Sequence, residues 1–264
     1  MEGNIILAFS LTLLAGLSTG LGGALALVLD RKNTKILSVG LGFSAGVMIY
    51  VSFMELMPQA QHTLVNHLGD AGKWTAIAGF FGGIALSMLL DKLVPDKLSY
   101  HELDAKSTCQ TGTSSNSLSR MGYFTAFAIA LHNFPEGLAT FIGTMEDPKL
   151  GVSLAIAIAI HNIPEGMAIA LPLCHALGNS TKAFGYALLS GLAEPIGAVA
   201  GYLLLRTFIS DELMAITFSV VAGIMVYISL DELLPMARES GNGHTEMLGL
   251  VIGMLVMAIS LLLF

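Results

Sequence analysis

Residues 212–236 read ELMAITFSVVAGIMVYISLDELLPM, an apolar run that ends shortly after the acidic pair Asp231 and Glu232. About 20 residues of helix cross the roughly 30 Å hydrocarbon core of a bilayer, so this run is long enough to span it. Seven further runs have similar length and composition, which predicts an all-α polytopic membrane protein with eight transmembrane helices in a single domain, residues 1–264. The predicted spans are residues 5–29, 36–57, 74–94, 121–142, 150–173, 183–208, 212–236 and 247–264.

The composition excludes several other classes of protein. Charged residues make up 12% of the chain and apolar residues 54%, whereas soluble domains carry about 25% charged residues. Twelve Lys and Arg against 19 Asp and Glu give a net charge of -7 without a basic stripe, which excludes a nucleic-acid binder. Cys109 and Cys174 lie far apart without a CxxC pattern, so both are interpreted as free thiols rather than as a disulfide framework.

A sequence repeat relates the second and seventh predicted helices. Residues 45–58 align with residues 222–235, and eight of the 14 positions are identical, including Glu55 with Glu232. The two helices run in opposite directions across the membrane, so the repeat is inverted, and inverted repeats are typical of transporters. We therefore expect helices 1–3 to be related to helices 6–8, with helices 4 and 5 as a pair between them.

The basic residues predict the orientation of the chain. Nine Lys and Arg fall on one set of alternating loops and three on the other, and cytoplasmic loops carry the positive excess. The first set is therefore expected in the cytoplasm, with both termini outside the plasma membrane. The longest loop, residues 95–120, is rich in Ser and Thr and is expected to be a flexible cytoplasmic linker between helices 3 and 4. The nine basic residues are Arg31, Lys32, Lys35, Lys92, Lys97, Lys106, Arg120, Lys182 and Arg238.

A polar motif occurs twice within the apolar helices, as HNFPEG at residues 132–137 and as HNIPEG at residues 161–166. A carboxylate at the middle of a membrane costs roughly 2.5 to 3.5 kcal/mol, so it indicates a functional role. In each copy His and Glu are four residues apart and Asn and Glu are three apart, which places all three on one helix face. If the two faces oppose each other, they form a metal site. Its predicted ligands are His132, Asn133, Glu136, His161, Asn162 and Glu165.

Helix 6 adds a further acidic residue, Glu194, next to a proline as in the other two motifs. This carboxylate is interpreted as a ligand that allows a second metal nearby, or alternatively as a hydrogen-bonding partner of a neighbouring helix. Imidazole, carboxylate and amide ligands together favour borderline ions such as Zn²⁺, Fe²⁺, Mn²⁺ or Co²⁺ over Cu⁺.

Several other polar residues have two interpretations each. Glu55 is expected near the outer face, as an entrance ligand or as an interfacial carboxylate. His62 and His67 are expected in an outer loop, where they capture ions or are simply solvated. Cys174 and His175 fall at the inner end of helix 5, as exit ligands or as structural residues.

Two rival functions use similar residues. An intramembrane zinc hydrolase needs a general base beside an open metal position, as in HExxH, and the sequence contains no such motif, so an enzyme is not expected. A metal-selective channel would use the same ligands as a carrier, and this alternative stays open.

The motifs HNFPEG and HNIPEG, together with AEPIGA at residues 193–198, eight spans and outside termini, resemble the ZIP (ZRT/IRT-like) family of divalent metal transporters and its bacterial members. The resemblance covers essentially the whole chain. It implies import of Zn²⁺, and often of other first-row divalent ions such as Fe²⁺, Mn²⁺ or Co²⁺, into the cytoplasm without ATP, through a binuclear metal centre. The inverted repeat predicts that transport occurs by alternating access around this site at the membrane midplane. It implies no prosthetic group. The implied partners are divalent metal ions and the lipid bilayer, with a homodimer as one option.

The resemblance also implies how the ligands are shared. One metal would be held by His132, Glu136, His161 and Glu165. The second would be held by Asn133, Asn162 and Glu194, with the carboxylates of Glu136 and Glu165 bridging the two ions. Exit ligands on helix 7 would be Asp231, which stands where some members carry His, and Glu232.

Overall fold

The computed structural model of the protein describes residues 2–28, 34–91, 116–205, 210–241 and 244–263. These residues are almost entirely helical and contain no β-strand, which confirms the predicted all-α class. The helices are α1 (Glu2–Val28), α2 (Thr34–Val51), α3 (Met57–Leu68), α4 (Asp70–Asp91), α5 (Asn116–Glu146), α6 (Pro148–Leu177), α7 (Ser180–Gly191), α8 (Ala193–Leu205), α9 (Asp211–Ile228), α10 (Leu234–Ser240) and α11 (Thr245–Leu263).

Seven helical stretches of the described chain are long and apolar enough to cross a membrane. Helix α5 adds an eighth by its length of 31 residues, although the polar motif at residues 132–137 lowers the mean hydropathy of its middle. The protein is therefore an integral membrane protein with several spans. The seven stretches are Asn4–Val28, Ser38–Leu68, Asp70–Leu89, Pro148–Leu171, Ser180–Ala200, Asp211–Glu239 and Thr245–Leu262.

Two π turns, Ser52–Leu56 and Ser229–Leu233, join α2 to α3 and α9 to α10. They occupy equivalent positions in the sequence repeat. After each turn a backbone N–H donates to the carbonyl five residues earlier, and the following residue is a proline. Proline clashes with the carbonyl four residues before it in an α-helix, and the wider π turn relieves this clash. The two donors are Met57 and Leu234, and the two prolines are Pro58 and Pro235.

The helices pack in two matching sets. Helix α2 packs on α11 as α9 packs on α4, and α1 packs on α6 as α8 packs on α5. Predicted helices 1–3 correspond to α1–α4, helices 4 and 5 to α5 and α6, and helices 6–8 to α7–α11. The two sets of pairings are related by exchanging predicted helices 1–3 with helices 6–8 and helix 4 with helix 5. This confirms the predicted repeat around the central pair. Glycines allow the closest approaches: Gly46 lies against the carbonyl of Leu250, and its repeat partner Gly223 lies against that of Phe80.

Three predicted boundaries differ from the structure. Helix α5 already begins at Asn116, so residues 116–120 are not part of a loop, while residues 92–115 lie outside the described part of the chain. His62 and His67 lie in α3 rather than in a loop, because the helix continues through the π turn to Leu68. The sixth span is broken at Leu192, between α7 and α8.

Candidate metal centre

Helices α5 and α6 bring the acidic residues of both polar motifs together. Glu136, His161 and Glu165 are fully buried, and one ligand atom of each lies within 4.8 Å of the other two. His161 Nε2 lies 3.2 Å from Glu136 Oε1. Ligand atoms bind Zn²⁺ at about 2.0 to 2.2 Å, so a small closure would bring all three within reach of one ion. The backbone of His132 lies one turn before Glu136, but its side chain is outside the described residues, so its role as a ligand stays a prediction.

The amide side chains flank this group on both sides. Asn162 Nδ2 donates to the carbonyl of Ala15 at 3.0 Å and also to the carboxylate of Glu194, which is fully buried. Asn133 Nδ2 donates to the carbonyl of Ser190 at 3.1 Å. Both amides therefore use their nitrogen as a donor to helices α1, α7 and α8. Among the described residues, the oxygens Asn133 Oδ1, Asn162 Oδ1 and Glu194 Oε2 accept no hydrogen bond, so they are available as ligands.

The buried acidic groups of this centre favour binding of a cation. Glu136, Glu165 and Glu194 are three buried carboxyl groups, and the buried residues of the described chain include no Lys or Arg. Each of these carboxyl groups has a polar neighbour, His161, Ser44 or Asn162, but burying several ionised carboxylates together is unfavourable unless positive charge offsets them. A bound divalent ion would supply such charge.

Ser44 contacts the polar motif of α6, and the sequence did not predict this contact. Its hydroxyl lies 2.9 Å from Glu165 Oε1 and 3.1 Å from the carbonyl oxygen of His161. A hydroxyl has one proton, so it donates to one of these acceptors at a time. Ser44 thereby ties α2 to the motif of α6. Nothing in its local sequence distinguishes it from other serines of apolar helices.

A small cavity of about 10 Å³ adjoins the centre, which is room for one water molecule. Glu136 and His161 line it together with apolar side chains, among them Val47, Leu154 and Met225. Leu154 lies between His161 and the start of α6 at Pro148. The cavity is therefore on the side of the centre that faces the turn at Asp147.

Three of the residues predicted as entrance or exit ligands, Glu55, Asp231 and Glu232, lie in the π turns. Glu55 is half-buried in the first turn, whereas in the second Asp231 is exposed and Glu232 is half-buried. The three-residue group formed by the described side chains includes none of them. Their roles in ion entry or exit stay predictions.

The turns at Gly69, Asp147 and Ser210 define one end of the molecule, which we call the Asp147 end. Here His67 Nδ1 lies 3.0 Å from Glu212 Oε1 and Nε2 lies 3.6 Å from Asp211 Oδ2, so His67 joins α3 to α9. His62 is exposed, and its nearest partner is Asn66.

Glu146 adds to the negative charge of the Asp147 end. The pKa of Glu146 is raised above its ordinary value. Partial burial is the largest cause, and the nearby carboxylates of Asp211 and Asp147 add to it, whereas a hydrogen bond from Gln59 lowers the pKa. Carboxylates collected at one end raise the local concentration of cations.

The interpretation of the cysteines as free thiols is wrong for Cys174. This residue is buried in α6 and disulfide-bonded, so it has no thiolate to offer a metal as an exit ligand. Cys109 and the side chain of His175 lie outside the described residues.

Comparison with known proteins agrees with this geometry. The family model for the ZIP Zinc transporter matches residues 95–261. The zinc transporter ZupT of Chlorobium chlorochromatii is 53% identical over 267 residues, which is 100% of both chains. The ZupT proteins of Chlorobaculum parvum (54% over 268 residues, 100% of both chains) and Lysinibacillus sphaericus (52% over 267 residues, 100% of this chain and 99% of the other) are similarly related. The chain belongs to the ZIP family of zinc transporters, which are transporters and not enzymes.

Proposed function

We propose that this protein imports divalent transition-metal ions, Zn²⁺ together with Fe²⁺, Mn²⁺ and Co²⁺, into the cytoplasm by alternating access around a binuclear centre at the membrane midplane. One observation carries this proposal: the buried group of Glu136, His161 and Glu165, which two neighbouring helices hold within 4.8 Å. The relatives described above carry the name zinc transporter, which supports Zn²⁺ as the principal ion.

The two ions would divide the ligands as follows. The first binds the imidazoles and carboxylates that converge between α5 and α6, with His132 as the fourth ligand. The second binds the amide oxygens of Asn133 and Asn162 with Glu194, and the carboxylates of Glu136 and Glu165 bridge to it. The open acceptor atoms of Asn133, Asn162 and Glu194 support this second site.

The Asp147 end would face the outside of the plasma membrane, with both termini on that side. The distribution of nine basic residues against three supports this orientation, because the smaller number falls on the side of the Asp147 turn. Asp231 and Glu232 would then lie toward the cytoplasm, where ions leave.

A carrier explains the geometry better than a channel. On the proposed outer side, apolar side chains surround a cavity of only about 10 Å³, which has no room for a hydrated cation. On this side the helices would have to rearrange before a hydrated ion passes through this cavity to Glu136 and His161. The repeat provides such a movement, because inverted repeats exchange conformations around a fixed midplane site.

Uptake of radioactive ⁶⁵Zn²⁺ into proteoliposomes tests the proposal. We expect protein-dependent uptake that saturates with Zn²⁺ and that Fe²⁺, Mn²⁺ and Co²⁺ inhibit by competition. Empty liposomes provide the background. Uptake at the background rate would refute transport, and non-saturating, very fast flux would identify a channel instead.

Uptake should decrease as the pH falls. Metal binds neutral imidazole and ionised carboxylate, and protons compete for both forms. The measurement uses equal pH inside and outside the liposomes, so that no proton gradient contributes. Uptake that is constant between neutral and mildly acidic pH would contradict a site made of these ligands.

Glu194→Gln should remove one metal ion per protein. The substitution keeps the shape of the side chain and the contact with Asn162, but removes the charge of the second site. Elemental analysis of the purified protein counts the bound ions, and Glu239→Gln, at an exposed position, is the control. An unchanged ratio of metal to protein would leave Glu194 with only a structural role.

A further inference from the structure

Two matching sets of contacts surround the candidate metal centre. In one half Asn162 donates to the carbonyl of Ala15 on α1, and in the other Asn133 donates to the carbonyl of Ser190 on α7. The two distances are 3.0 and 3.1 Å. Because Asn133 and Asn162 are equivalent residues of the two polar motifs, Ala15 and Ser190 are equivalent residues of the helices that pack on them.

The glycines of the motifs extend this correspondence. A Cβ on Gly166 would lie 1.9 Å from the carbonyl oxygen of Thr19, and a Cβ on Gly137 would lie 2.0 Å from that of Glu194. Thr19 is therefore the structural counterpart of Glu194. The reverse contacts have the same spacing: Gly22 meets the carbonyl of Ile163, and Gly197 meets that of Phe134.

The side chain of Thr19 lies beside the peptide of Ser190 and Gly191 that Asn133 contacts. Its side chain is fully buried, and Oγ1 makes no hydrogen bond to any described residue. A Cβ on Gly191 would lie 3.0 Å from this Oγ1. Asn133 donates to Ser190, the residue just before Gly191, and its Oδ1 likewise has no partner in the described part of the chain. Thr19 and Asn133 thus present two unsatisfied oxygens beside the same peptide, a costly arrangement without a ligand.

We propose that Thr19 gives its hydroxyl oxygen to the ion held by Asn133, as the uncharged counterpart of Glu194, and thereby helps to determine which ions the second site accepts. This inference rests on the proposed function and adds to it a residue on α1. It follows from the duplication of the contacts around Asn133 and Asn162.

The chemistry of the hydroxyl predicts the direction of selectivity. A neutral oxygen suits the harder ion Mn²⁺ better than the softer ion Cd²⁺, which prefers sulfur. Because the counterpart of Glu194 carries a hydroxyl and not another carboxylate, three acids, Glu136, Glu165 and Glu194, face the two divalent ions. A fourth carboxylate would bind the ions more tightly and slow their release.

Exchange of the Thr19 oxygen for sulfur provides the test. Purified variants are equilibrated with equal Mn²⁺ and Cd²⁺, and bound metals are counted by elemental analysis. Thr19→Cys should lower the ratio of bound Mn²⁺ to Cd²⁺ by roughly fivefold or more, the effect expected from changing one ligand contact. Thr19→Val should lower it less, and Thr19→Ser should keep the parental ratio.

Thr12 provides matched controls on the same helix. Its side chain is also fully buried, but Oγ1 donates to the carbonyl of Ala8 at 2.6 Å. Thr12→Cys and Thr12→Val should keep the parental ratio. A parental ratio in Thr19→Cys would overturn the inference even if Thr19→Val fails to fold. A parent protein that binds neither metal would instead contradict the proposed function.

Discussion

Zinc uptake should fall by more than about 100-fold in His161→Ala and in Glu165→Ala, because changes in the surroundings of metal ligands alone cost 10- to 100-fold. Both side chains are fully buried in the three-residue group, and each substitution removes one of the proposed ligands. Initial rates of ⁶⁵Zn²⁺ uptake into proteoliposomes measure the effect at equal protein content.

Two surface variants control for this experiment. His244→Ala and Glu239→Ala remove the same types of side chain from exposed positions and should keep the parental rate. Elution at the parental volume in size-exclusion chromatography shows that a variant is folded. Parental uptake by a folded His161→Ala or Glu165→Ala protein would rule out the proposed centre.

Gly166→Ala should destabilise the protein by about 3 kcal/mol or more, because overpacking typically costs 1 to 3 kcal/mol and here the obstacle is backbone. The added Cβ would lie 1.9 Å from the carbonyl oxygen of Thr19, so α1 and α6 would have to separate. Thermal unfolding in detergent measures this loss.

Gly185→Ala is the matched control for this substitution. The same atom added at Gly185 meets nothing within 4 Å. We expect unchanged stability or a gain of about 0.4 to 1 kcal/mol from the reduced entropy of the unfolded chain. Equal melting temperatures for Gly166→Ala and the parent would contradict the close packing of α1 on α6.

The sequence allowed the cluster of Glu136, His161 and Glu165 to be predicted because its chemistry is unusual in a membrane. An acid such as Glu136 or Glu165 in an apolar helix is costly, so it stands out, and the duplicated motif indicates that the two helices face each other. The repeat between residues 45–58 and 222–235 similarly predicted how helices pair, since related segments make related contacts.

Other features depend on contacts that no local pattern encodes. Ser44 reaches Glu165 from a helix more than 100 residues away in the chain, and a serine in an apolar helix is common. The helical position of His67 was missed because its polar surroundings resemble a loop, while tertiary contacts with Asp211 and Glu212 hold it in α3. The disulfide of Cys174 likewise has no signal in the local sequence.

The paired π turns have a consequence for the energetics of transport. In the proposed alternating-access carrier, two related segments would exchange roles across the membrane, and differences between the copies would then favour one state over the other. The turns read SFMEL and SLDEL, so they differ in charge at a single position, where Met54 corresponds to Asp231. One carboxylate thus distinguishes the two turns electrostatically, and in the proposed carrier this asymmetry would shift the balance between the outward and inward states.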